Sequence, residues 1–392
     1  MSTLVALSAA APASLNIILP SLPAIQRAFG ASLATTQLLV SLSLVGVAVA
    51  TLLYGPISDR HGRRPVILAG MALFVLGSAI CAAAPDMAIL IAARVLLAAG
   101  GAAGLVLARA VVRDLYDREA TARVLAYLTM AMAVAPMLAP LAGGAIIERW
   151  SWRVVFVVLA ALGALILIDV ARRLPETHRG RAGAPGAASG LGGFRRLLRL
   201  PAFCGYALHQ SFSMSIFYVF ASTAPYYMVE VLKRPPTEYG LYFVVLSLAF
   251  IVGTFTTSRL VPLYGLDRMI TVGSLLAILA SAVALVFALA GVRTPVALYL
   301  PAAFVGAANG LTMPNSQAGA VSVDPHAAGA ASGLVGFVQM LCAALVTQIV
   351  GLFDQSSPLP VTVAMFALAL LALAAQLVAG AAQRRWPPAL AG

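Results

Sequence analysis

Few side chains in this sequence could do chemistry, and most of them are charged groups gathered at the edges of long apolar stretches. Asp59, Arg60, Arg63 and Arg64 lie within six residues, Arg113 and Asp114 form a second pair, and Arg94 stands alone in apolar text. Carboxylates and guanidiniums so placed can form charge-assisted hydrogen bonds that close in one conformation and break in another, which is the chemistry of a gate. A static, solvated network would use the same residues. An arginine inside hydrocarbon costs about 3 kcal/mol on insertion scales, so Arg94 is expected either to face the interior with a partner or to snorkel to the surface. Cys81, Cys204 and Cys342 stand singly in separate apolar stretches, and His61, His178, His209 and His326 are scattered. That spacing suits neither a metal site nor a redox pair, and no nucleophile sits beside a base, so no metal, cofactor or enzymatic activity is expected.

The elements that position these groups follow from composition. Of 392 residues 61% are hydrophobic and 10% charged, a balance that excludes an ordinary soluble globule. The net charge of +12 comes in short clusters between apolar runs, with no RNA- or DNA-binding motif, so orientation in a bilayer explains it better than nucleic acid. A helix needs about 20 mostly apolar residues to cross the hydrocarbon core. Twelve segments qualify: 3–24, 36–58, 65–84, 87–109, 120–147, 152–171, 202–229, 237–259, 268–290, 295–317, 327–350 and 360–382. The fold class expected is therefore an all-α polytopic membrane protein of 12 transmembrane helices in two six-helix bundles. Alternate connections carry 18 Lys and Arg on one side and six on the other, which puts both termini in the cytoplasm.

Residues 172–200 form the longest connection, Gly/Ala/Pro/Ser-rich from Gly180 to Gly193, and divide the chain into bundles at 1–171 and 201–392. Phe194–Leu200 reads either as a short basic amphipathic segment or as the frayed start of the seventh span. An internal repeat supports the division. Tyr54-Gly55 and Asp59-Arg60 are echoed by Tyr264-Gly265 and Asp267-Arg268, and Gly101–Gly104 by Gly306–Gly310, all at offsets near 205 to 210 residues.

Gly55 and Pro56 are expected to end the second span, Gly62 to permit a turn, and Pro65 to begin the third. Gly-Pro-x-x-Asp-Arg-x-Gly-Arg-Arg-Pro at 55–65 resembles the signature loop between helices 2 and 3 of the major facilitator superfamily. Leu19–Ile25, Thr36-Gln37, Ala108–Asp114, Ala135–Gly144, Ser151-Trp-Arg and Asp324–Ser332 narrow that resemblance to the bicyclomycin-resistance (Bcr/CflA) branch. The resemblance implies proton-coupled antiport of small molecules from cytoplasm to periplasm across a bacterial-type inner membrane, by a protein expected to be a monomer. An uncoupled facilitator, or a metabolite exporter of the same fold, is the alternative. It also implies gating or coupling roles for Asp59, Arg60, Arg63, Arg94, Arg113 and Asp114. Pro140, Gly143 and Gly144 belong to the antiporter motif of helix 5, where Ala139 stands in place of a usual Gly; one small, bendable face there lets a neighbouring helix approach closely.

Polar side chains recur at helical spacing: Ser211, Ser215, Tyr218 and Ser222; Asn309, Thr312 and Ser316; Ser332 and Gln339; and Asn16 with Pro20 and Pro23. In lipid such stripes turn inward, either to bind helices together or to line a cavity. Asn16, Tyr218, Ser222, Tyr226, Asn309 and Gln339 are the candidates for substrate contact, with Phe217 and Tyr227 adding aromatic surface suited to lipophilic ligands. Asn16 occupies a place where the bicyclomycin-resistance pattern has aspartate, and no acid precedes Asp59. Asparagine supplies neither charge nor proton, so neutral or zwitterionic substrates are expected, with any proton carried elsewhere.

The charge asymmetry is tested by labelling. In intact cells an impermeant thiol reagent should modify Ser357→Cys and leave Gly186→Cys untouched; modification of Gly186→Cys would overturn the orientation.

Overall fold

The computed structural model describes residues 1–177, 191–324, 327–354 and 356–385, so most of the glycine-rich part of the long connection, up to residue 190, lies outside the described residues. Among those described there is helix and no strand. The helices are α1 (Ser2–Ile17), α2 (Leu22–Phe29), α3 (Leu33–His61), α4 (Arg63–Ala83), α5 (Met87–Leu115), α6 (Arg118–Arg149) and α7 (Trp152–Arg173), followed by a short α8 (Leu191–Leu197). After it come α9 (Pro201–Tyr226), α10 (Pro236–Tyr264), α11 (Leu266–Leu289), α12 (Pro295–Ser322), α13 (Ala328–Val350) and α14 (Leu359–Arg385). A 3-10 turn, Leu19–Ser21, joins α1 to α2 in one membrane-length element, and a π turn, Tyr227–Val231, closes α9.

Eleven of these elements are long and apolar enough to cross a membrane. The twelfth, α9, has the length at 26 residues but carries His209, Gln210, Ser211, Ser213 and Ser215, and all five are buried. Its polarity therefore points into protein, where it costs little. Several helices run beyond the apolar windows: α5 continues six residues past 109 to Leu115, and α12 to Ser322. Backbone hydrogen bonding does not end where hydrocarbon does, and a good helix former such as Arg113 in the last turn of α5 extends a helix readily. Gly55 and Pro56 do not end α3, contrary to expectation. Pro56 omits one donor while the ladder goes on to His61, and the Gly62 amide then donates to the Ser58 carbonyl at 3.0 Å. The short segment at Leu191–Leu197 is a separate helix whose Leu197 is buried with Phe203 and Tyr206.

Helix starts are set by side-chain caps. Ser32, Asp86, Asp117, Ser151 and Thr294 each accept from an amide two or three residues on, at 2.8 to 3.3 Å. Gly62 and Gly265 do the equivalent work by geometry, with φ of 92° and 80°, a conformation that residues with a Cβ resist. These two glycines stand 203 residues apart, each at the turn between consecutive long helices. Asp59 closes α3 whereas Asp267 opens α11, so the echoed Asp-Arg pairs occupy different ends of a turn.

The chain forms two compact units. The first contains the described residues of Met1–Gly183 and of Ala224–Val244; the second those of Ala184–Thr223 and Val245–Gly392. In the first, α5 packs on α4, α3 and α1 through small residues: a Cβ on Gly100 would meet the Phe74 amide at 2.5 Å, and one on Gly104 would overlap the Leu7 carbonyl. In the second, Gly253 and Gly310 bring α10 and α12 together, with a Cβ on Gly310 overlapping the Phe250 carbonyl. Between helices in lipid, where apolar surface gains nothing by leaving one hydrocarbon for another, such backbone contact supplies the packing.

Gly310→Ala should lower the stability of the purified protein by about 1–3 kcal/mol through overpacking. Gly333→Ala, in α13 with no atom within 4 Å of the new methyl, should raise it by about 0.5–1 kcal/mol through helix propensity. Thermal unfolding in detergent measures both, and shifts of the same sign would reject the packing argument.

Candidate functional site

In the first unit the helix-end charges assemble as a clamp around Arg63. Its Nη1 lies 2.6 Å from Asp59 Oδ1 and its Nε 3.4 Å from Asp114 Oδ2, so one guanidinium joins the ends of α3 and α5 to the start of α4. Arg63 can do this because Gly62 turns the chain sharply and leaves the α4 amides without an intrahelical partner. Glu176, just beyond α7, fills that gap: its two carboxylate oxygens accept from the Arg63 and Arg64 amides at 2.9 and 3.2 Å. Arg64 Nη2 donates to the Ala171 carbonyl at 2.7 Å, and Thr177 Oγ1 to Asp114 at 3.4 Å. Arg60 and Arg113, expected in the same network, are exposed and make no ion pair among the described residues. Sequence reading missed Glu176, although it is the only acidic residue in a connection that carries seven arginines.

Arg94 is 1% exposed, so it does not snorkel. Its Nη2 donates to the Ser14 carbonyl at 2.7 Å. Ser14 is in the last turn of α1, where the amide four residues on, Ile18, bonds Asn16 instead, and the guanidinium satisfies an acceptor that the helix end has released. Asn16 is also buried, with Nδ2 donating to the Pro12 carbonyl at 2.8 Å. Pro20 lies in the 3-10 turn that follows α1, and Pro23 at the start of α2. They line a cavity of about 330 Å³ with Arg27, Glu148 and Trp152.

At the far end of α6 the Pro-Gly motif makes two close approaches. A Cβ on Gly143 would overlap the Ile17 carbonyl, and one on Gly144 would lie 2.7 Å from the Pro236 carbonyl. Gly240 in turn sits against Leu141 and the Pro140 carbonyl. Glu148 caps the start of α10 by accepting from the Thr237 amide at 2.8 Å, and Arg27 pairs with Glu230 at 3.4 Å. The first unit thus carries a charge clamp at one end of its helices and tight glycine contacts at the other. Tyr226 and Tyr227 are buried in this unit.

The other candidates for substrate contact fall in the second unit. Tyr218 is buried with Phe217 edge-on at 5.2 Å, and Ser222 donates to the Val219 carbonyl. Asn309 Nδ2 bonds the Ser213 carbonyl at 3.3 Å, fastening α12 to α9. Gln339 Oε1 accepts from Gln210 Nε2, which also reaches Gln317 Oε1, while Gln317 Nε2 donates to Ser332 Oγ, all at 3.1 to 3.2 Å. That amide chain runs across α9, α12 and α13; Gln210 and Gln317 were not foreseen. Ser211 and Ser215 turn inward and donate to carbonyls four residues back in their own helix.

The profile of the Major Facilitator Superfamily matches residues 4–347. Among curated proteins, an uncharacterized MFS-type transporter, YdgK of Bacillus subtilis (strain 168), is 30% identical over 92% of this chain and 90% of its own length. The bicyclomycin resistance protein homolog of Haemophilus influenzae is 26% identical, covering 95% of this chain and 94% of its own. Multidrug resistance protein D of Escherichia coli (strain K12) is 29% identical, covering 90% and 88%. Among solved structures, the bacterial homolog to the human lysosomal transporter Spinster, inward-facing and occupied, superposes with a TM-score of 0.77 at 16% identity, over 98% of this chain and 96% of that one.

Arg94→Met keeps most of the volume and removes the bond to Ser14. Leaving a buried carbonyl unpaired costs about 1–3 kcal/mol, so the variant should unfold at a measurably lower temperature in detergent. An unchanged unfolding temperature would mean that Arg94 does not hold the end of α1.

Proposed function

Since this chain belongs to the Major Facilitator Superfamily and is a transporter rather than an enzyme, we propose that it exports small molecules from the cytoplasm by alternating access, driven by proton antiport. Its relatives named for bicyclomycin and multidrug resistance support drugs as the substrate class. In this reading residues 1–171 and 201–392 are the two six-helix halves, joined by 172–200, and both termini face the cytoplasm of a bacterial-type inner membrane. The working form is a monomer.

The clamp around Arg63 is the observation that carries the reading. Two carboxylates share one guanidinium at 2.6 and 3.4 Å with Asp59 more than half exposed, so the clamp is strong enough to bias a conformation and weak enough to open. The tight glycine contacts of α6 support a seal at the opposite end while the cytoplasmic end opens. Asn16, Tyr218, Ser222, Tyr226, Asn309 and Gln339 are the side chains through which substrate would be held. With Asn16 uncharged, the preferred substrates are neutral or zwitterionic. The same residue is the specific observation that favours an uncoupled facilitator as a second reading, because it cannot carry a proton. Flux of a ligand panel in proteoliposomes, with and without an imposed pH gradient, separates the two.

Asp59→Asn should slow transport by about tenfold or more while leaving ligand affinity within about twofold, since a gating contact worth about 1.4 kcal/mol changes a conformational equilibrium tenfold. Binding and flux measured on one purified preparation check this. Equal losses in both would put Asp59 in the binding site or the fold instead.

A further inference from the structure

Among the described residues His209 is the one imidazole away from the end of a membrane-length helix, and it is fully buried in the second unit. Both ring nitrogens meet serine hydroxyls: Nε2 lies 3.1 Å from Ser274 Oγ on α11, and Nδ1 2.7 Å from Ser316 Oγ on α12. Each of these hydroxyls is also within bonding distance of the carbonyl four residues back in its own helix, Ser274 to Ile270 at 2.8 Å and Ser316 to Thr312 at 3.0 Å. A hydroxyl has one proton. With both protons given to backbone carbonyls, each serine can only accept from the ring, and the ring must then carry two N–H groups. The arrangement satisfies an imidazolium. A neutral ring fits only when one serine turns its proton away from its carbonyl and donates to the imidazole.

On α9 itself, Tyr206, one turn before His209, donates to Asp267 Oδ1 at 2.6 Å; from α14, Gln376 donates to the same oxygen at 2.9 Å. Asp267 stands seven residues before Ser274 on α11, about 10 Å along the helix. Arg268 on α11 and Arg384 on α14 are exposed at the helix ends, α12 contributes no charged group, and on α13 Cys342 is bonded by Ser215. A cavity of about 680 Å³, lined by Asp267, Thr271 and Gln376 among others, reaches to within one turn of Ser274.

Resting on the antiport reading above, we propose that His209 is the proton-carrying group of this transporter, replacing the acid that Asn16 does not supply. A proton adds to a ring nitrogen, and both serines accept. When it leaves, a serine hydroxyl turns from its carbonyl to the bare nitrogen, so the charge state of the ring is written into the hydrogen bonding of α11 or α12. In α12 this falls beside Pro314, which has no amide proton of its own to stiffen the turn.

The test combines spectroscopy with flux. In wild-type protein in lipid, with histidine labelled by nitrogen-15, one imidazole should show the doubly protonated pattern at low pH and a neutral tautomer at high pH, between about pH 5 and pH 9. That resonance should vanish in His209→Gln, and Ser316→Ala should move its midpoint down by about one unit by removing an acceptor of the charged form. In proteoliposomes His209→Gln should keep downhill flux within about twofold and lose at least tenfold in accumulation driven by a pH gradient. A ring that stays neutral throughout overturns the proposal, as does a His209→Gln variant that accumulates like wild type. Should that variant fail to fold, the Ser316→Ala shift identifies the resonance, and its titration decides. Wild-type protein indifferent to the gradient would overturn antiport itself, and the titration would then show separately whether His209 binds a proton.

Discussion

A backbone carbonyl in hydrocarbon has no water to bond, and this single constraint organises the molecule. Helices satisfy it along their length, so the difficult places are their ends and interruptions. The release of Ser14 at the end of α1 is met by Arg94, a side chain whose own burial would be costly without such an acceptor. The uncapped start of α4 is met by Glu176. In both cases a polar residue that would weaken an apolar bundle elsewhere is held because it completes a backbone.

The same constraint accounts for the packing. With little hydrophobic force between helices in lipid, attraction depends on how closely backbones approach. Gly100, Gly104, Gly143, Gly253 and Gly310 each stand where a methyl group would strike a neighbouring backbone. The Pro-Gly segment of α6 is one case of a pattern that recurs in both units, and what distinguishes it is position, since it packs against the end of α1 and the start of α10 together.

Much of this was legible in the chain. Apolar run length marked out the elements, the tight turn at Gly62 followed from residue type and surroundings, Pro140, Gly143 and Gly144 marked a close contact, and of the two places open to Arg94 the interior is the one it takes. The partners were not legible. Glu176 meets Arg63 across 113 residues and Gln210 meets Gln339 across 129, and no periodicity within a helix reports what a distant helix presents. Asn16 shows a different limit. Its helical spacing to Pro20 and Pro23 assumed a continuous helix, but the 3-10 turn at Leu19–Ser21 interrupts it.

Glu176 and Thr177 place the beginning of the long connection under a constraint that such segments usually escape. A linker between two halves is ordinarily free to drift in length and composition, since nothing holds its backbone. Here its first residues are structural members of α4 and α5, bound by way of Arg63, Arg64 and Asp114. Evolutionary latitude for insertion therefore begins only after Thr177, and a change in length before that point would remove the cap of a helix that lies more than a hundred residues earlier in the chain.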